Sequence, residues 1–140
     1  MQVIAFGPSL NAVQEQTGGI TATGFPMTSC YVDVFPGQIS IPIVLAVTTQ
    51  GGTDYDVRRF AVATAPDGER VGALEFAWHW PDDPPQPVKF RVFAQPLPMQ
   101  VTQPGIYTLG LYDTVDGTDG ENLFPLSILK LNPLGQLSSG

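Results

Sequence analysis

The sequence predicts an all-β chain, a single-domain antiparallel β-sandwich of about eight or nine strands. Three observations carry this reading. Apolar residues recur with period two through most of the chain, the spacing that puts every second side chain on one face of a strand. The 15 glycines and 14 prolines demand frequent turns and leave little room for helix. Hydrophobic residues make up 43% and charged residues only 14%, enough apolar surface for a core and too little charge for disorder. Two packed sheets are the natural way for that many half-buried strands to cover their apolar faces.

The N-terminal stretch yields no helix. Its nearest candidate, residues 9–16, is short and ends in Thr17-Gly18-Gly19, so an extended segment is expected there. The clearest strand is 39–48, with Ile39, Ile41, Ile43, Leu45 and Val47 on one face. Pro42 lies in its interior and cannot donate to a ladder, which predicts an edge strand or a bulge near Pro42.

Ala65-Pro66-Asp67-Gly68-Glu69 reads as a hairpin turn. A two-residue Asp67-Gly68 loop pairs Phe60 with Glu75. A three-residue loop, with Pro66 at the second position and Gly68 in the left-handed bulge position, pairs Ala65 with Glu69, Phe60 with Leu74 and Val62 with Gly72. The second register keeps apolar opposite apolar and is the expected one. Leu74, Phe76, Trp78 and Trp80 then point inward, and Glu75 and His79 outward.

The next loop, residues 81–87, is stiff and acidic. Beyond it Val88, Phe90 and Val92 are expected to face the core, with Lys89 and Arg91 outside and Lys89 opposite His79. Pro96-Leu97-Pro98 is expected to interrupt the chain before a short strand at 99–101. Tyr107, Leu109 and Leu111 share a face in the strand after Pro104-Gly105. Asp116-Gly117-Thr118-Asp119-Gly120 is a further turn. Phe124, Leu126 and Ile128 share a face of the last strand, 122–131. The domain is expected to span residues 1–133, with 134–140 a flexible C-terminal tail.

Composition narrows the function. The net charge is −7, and six basic residues, none before Arg58, are too few for a phosphate backbone or an anionic membrane surface. Nucleic acid and membrane are therefore not expected partners. The N-terminus lacks a positive n-region and reads as no secretory signal. One cysteine, Cys30, cannot form an internal disulfide, which favours a cytoplasmic location, with a virion as the alternative.

Candidate chemistry is sparse. Any Ser–His or Cys–His device must use His79, the single histidine, and its alternation with Trp78 and Trp80 puts it on an outer face. Cys30 reads as a small buried hydrophobe. The best metal hypothesis is calcium. Asp113, Asp116, Asp119 and Glu121 interleave with Gly117 and Gly120, and hard cations take oxygens from flexible loops. Asp82 and Asp83 are expected at the same end of the sandwich. Against a site, the order is not an EF-hand and Asp-Gly is ordinary turn chemistry. Trp78, Trp80, Phe76 and Phe90 would serve as a sugar platform if exposed, but their parity assigns them to the core. Phe93 and Tyr112 lie on the opposite parity and are the candidate outer-face residues for packing on a partner.

From residue 39 to 131 the chain resembles a loosely defined family of small, uncharacterised all-β bacterial proteins. The features are the long apolar strand, Ala65-Pro66-Asp67-Gly68-Glu69-Arg70-Val71, Pro104-Gly105-Ile106-Tyr107-Thr108-Leu109, and Asn122-Leu123-Phe124-Pro125-Leu126 in the final strand. The resemblance implies the fold and a non-enzymatic, intracellular protein, and it carries no catalytic residues.

The expected function is thus a non-catalytic structural or protein-interaction module, its partner a protein and first of all itself. A more specific form is an accessory subunit of a virion or another large assembly. The alternatives are a ligand-binding module, for carbohydrate or for calcium-dependent contacts, and a carboxylate-based hydrolase. The first alternative requires an exposed aromatic strip or an ordered acidic loop. The second requires two acids converging in a cleft.

Overall fold

The computed structural model describes residues 1–51 and 54–131. The expected tail, 134–140, and the end of the domain at 133 lie outside them. Among the described residues there are ten strands: β1 (Gln2–Pro8), β2 (Asn11–Gln14), β3 (Ile20–Thr23), β4 (Ser29–Val32), β5 (Gly37–Gln50), β6 (Tyr55–Thr64), β7 (Arg70–Trp80), β8 (Val88–Val101), β9 (Gly105–Tyr112) and β10 (Glu121–Lys130). One sheet has the order β1-β5-β8 and the other β4-β10-β9-β6-β7, and β2 and β3 form a separate hairpin. All pairs are antiparallel except β4 with β10, which is parallel. The fold class is the all-β sandwich expected.

The core lies between the two larger sheets. Ile41, Ile43, Leu45, Val47, Leu97, Met99 and Val101 come from one side, and Phe76, Trp78, Trp80, Tyr107, Leu109, Leu111, Leu126 and Ile128 from the other. Phe76 is fully buried, and a side chain of that size contributes about 1.5–3 kcal/mol on burial. Phe93 packs on it, with ring centroids 5.5 Å apart, and on Trp78 at 5.3 Å.

Pro42 is not on an edge strand, and the ladder runs past it without a bulge. β5 is the centre of its sheet, and Pro42 stands opposite Pro96 of β8. The Pro42 carbonyl accepts from Ser9 N at 2.9 Å on the β1 side, so its polar backbone edge faces away from β8. The Pro42–Pro96 and Ser40–Pro98 pairs are then the type in which neither residue hydrogen-bonds across the ladder. All three prolines therefore fit without breaking a bond between β5 and β8.

The expected hairpin register is overturned. The turn itself forms, with Ala65 N donating to Glu69 O and Gly68 N to Ala65 O, and Gly68 adopts a φ of 91°. A bulge between Ala63 and Thr64 then shifts the ladder, so Phe60 faces Glu75 and Ala61 faces Leu74. The inner face of β6 is Val57, Ala61, Ala63 and the neighbouring Ala65, all buried. Small alanines leave the space that the indoles of β7 fill; a phenyl ring at Phe60 would compete for it.

The strand after the proline loop is also reassigned. β8 pairs with β5 instead of β7, and its register is unbroken from Val88 to Val101, through Pro96-Leu97-Pro98. Parity is thus set by Leu97, Met99 and Val101, and odd residues face inward. Phe93 belongs to the core, not to an outer patch. Lys89 is buried and Phe90 is exposed, the reverse of the expectation. Lys89 Nζ donates to the Gly51 carbonyl at 3.0 Å. Arg91 donates to the carbonyls of His79 and Phe90 and lies over the Trp80 ring. Long stems cover apolar surface while their charged heads are satisfied.

Candidate functional site

The outer face of β9, β10 and β4 is built by the same alternation that fills the core. Tyr107, Leu109, Leu126 and Ile128 point inward and are buried, so Ile106, Pro125, Ser127 and Leu129 point outward. Cross-strand pairing sets Ile106 opposite Ser127 and Leu129 opposite Tyr31 of β4. Leu123 joins them, close above Gly110. Ile106 and Leu123 are each 59% exposed and Tyr31 is 43% exposed. Among the described residues β4 ends the sheet, so this face continues onto an edge strand.

Beyond β9 the same face is covered by the chain itself. The loop after β9 folds back over it, and Arg70 donates to the carbonyls of Val115, at 2.5 Å, and Gly117. The Arg70 guanidinium lies 4.8 Å from the Tyr112 ring centre. A Cβ on Gly110 or Gly120 would come within 2.9 or 2.6 Å of that ring, so only glycine leaves Tyr112 its seat. Tyr112 is on the outer face, as its parity requires, but half-buried under its own loop.

The acidic loop is held by arginines. Asp113 pairs with Arg59 at 3.3 Å, and the carbonyls of Val115 and Gly117 are met by Arg70. Asp116, Asp119 and Glu121 are exposed. Among the described residues no three acidic, histidine or cysteine side chains are gathered as a metal would require.

His79 lies on the outer face of β7, between two carboxylates. Its Nδ1 is 2.7 Å from Asp56 Oδ1, and its Nε2 pairs with Asp54. The hydrogen bond to Asp56, with the two negative charges, holds the imidazole pKa above its ordinary value. The two acids bind opposite nitrogens of the ring, so the three groups cannot converge on one reacting atom. Cys30 is on β4 and His79 on β7, the two edges of the five-stranded sheet. Burial raises the Cys30 thiol pKa, which favours the protonated thiol. The buried Ser9 hydroxyl lies 2.8 and 2.9 Å from the carbonyls of Asn11 and Thr23, a structural bond across the base of the β2–β3 hairpin.

Trp78, Trp80 and Phe76 are in the core as their spacing implied; Phe90 alone of that group is exposed, at 56%. The alternation argument missed Tyr31, Ile106 and Leu123. Their signal was apolar residues at both parities, as in Ile106-Tyr107 and Leu123-Phe124, which marks a strand with an apolar outer face as well as an inner one. Among the described residues no helix is long and apolar enough to cross a membrane. No protein-family model matches the chain, and no relative was found among curated proteins.

Proposed function

We propose that the protein is a non-catalytic assembly module that docks on a second copy of itself through the outer face of β9, β10 and β4. The observation that supports this most is the set of exposed apolar side chains, Tyr31, Ile106 and Leu123, on a face that ends, among the described residues, at the edge strand β4. The non-catalytic reading draws on His79, whose ring nitrogens are both engaged by carboxylates, and on Cys30 at the far edge of the same sheet. An accessory place in a virion or another large assembly extends the reading, the same face seating the chain on its neighbours.

Sedimentation equilibrium tests it. The wild-type chain is expected at twice the monomer mass, and Ile106→Lys with Leu123→Lys at the monomer mass with an unchanged thermal midpoint. A wild-type chain that sediments as a monomer at every concentration overturns the proposal, as does a dimer that survives both substitutions.

A further inference from the structure

A depression of about 620 Å³ lies on the other sheet, between the tip of the β2–β3 hairpin, the 81–87 loop and the start of β8. Phe90 lines it, with more than half of its surface exposed to water. The unbroken β5–β8 register forces this exposure, since odd residues of β8 take the inner face. Thr17, Asp83 and Gln86 line the same depression. An apolar ring beside a carboxylate, an amide and a hydroxyl offers one stacking face with both donors and acceptors.

The walls are held before any ligand arrives. Prolines at 81, 84, 85 and 87 fix φ along the loop. Gln86 N donates to Asp83 O at 2.9 Å, and Gly51 N to Pro87 O at 3.3 Å. Arg91 is clamped by two carbonyls, 2.9 and 3.2 Å away, and by the Trp80 ring. Gln14 Nε2 donates to Val92 O at 3.0 Å and seats the hairpin on β8. The backbone of the loop is therefore fixed before binding, which lowers the cost of association.

We propose that this depression binds a neutral saccharide, the C–H face of a pyranose stacked on Phe90 and its hydroxyls hydrogen-bonded by Asp83 and Gln86. Sugar rings present an apolar face and a rim of paired donors and acceptors, which is the complement of this lining. The net charge of −7, and Asp83 within the site, disfavour a polyanion. The site is on the opposite sheet from the docking face, so the two proposals stand or fall separately.

Amide NMR on the isotopically labelled full chain provides the test, with oligosaccharides of glucose, xylose, mannose and galactose as probes and oligogalacturonate as the anionic control. At least one neutral series is expected to shift the Gly18, Gln86, Phe90 and Arg91 amides saturably. Phe90→Ala, at an exposed position, is expected to weaken that binding roughly tenfold or more while leaving the thermal midpoint unchanged. Gln86→Ala should weaken it too, and Leu123→Lys should not. The proposal is overturned if no neutral series moves these amides, if only oligogalacturonate binds, or if Phe90→Ala binds as tightly as wild type.

Discussion

Tyr107 shows how one atom can organise a turn. Its ring is fully buried, while its hydroxyl accepts from the backbone N–H groups of Thr102 and Gln103 and donates to the Gln103 carbonyl at 2.7 Å. Tyr107→Phe keeps the packing and strands those groups, so urea denaturation should show a loss of about 1–3 kcal/mol. The inward aim of Tyr107 was legible from its alternation with Leu109 and Leu111. The task of its hydroxyl was not, because the partners lie on a turn whose path no periodicity records. His79 makes a second prediction at this scale. Its folded pKa is raised above the ordinary value near 6.5, mainly by Asp56. Its contribution to stability is therefore fully present below that value and is lost as pH rises through the folded pKa. Thermal midpoints of wild type against His79→Asn should converge as pH is raised across that window. Midpoints that run parallel throughout would show that the two carboxylates do nothing for the fold.

At the scale of the strand, local patterning succeeded where one face was apolar and failed where both were. β9 and β10 were placed correctly, since Leu109, Leu111, Leu126 and Ile128 leave no ambiguity of face. β6 was turned over because Phe60 and Val62 outrank Ala61 and Ala63 in apolar character, whereas the indoles opposite need the smaller residues. β8 was cut in two because proline was taken to end a strand, and the cut removed the residues that fix its parity. Phe93, Lys89 and Phe90 were all misplaced by that single step. β7 and β8 run side by side where the sheets meet, and at Gly72 a Cβ would come within 2.4 Å of the Pro98 carbonyl. Gly72→Ala must push backbone from backbone, and a destabilisation of about 1–3 kcal/mol is expected in the same denaturation measurement. A neutral effect would mean that the two strands are free to separate there.

For the molecule as a whole, strand order was beyond the reach of pattern. β1 pairs with β5, and β4 joins β10 across 98 positions of the sequence. Such pairings depend on loop closure and on faces meeting in space, neither of which leaves a mark in local spacing. They also slow folding. Stopped-flow dilution from denaturant should give refolding on the order of milliseconds to seconds, the range of domains ruled by distant contacts. A microsecond phase carrying the full amplitude would contradict the topology. The proline pair in β8 has a wider consequence. Pro96 and Pro98 turn their nitrogens toward β7, where a strand with amide protons could continue the ladder and join the two sheets into one sheet of eight strands. Two imino acids on one rim thus hold the described strands as two large sheets rather than one, through groups that are missing a hydrogen.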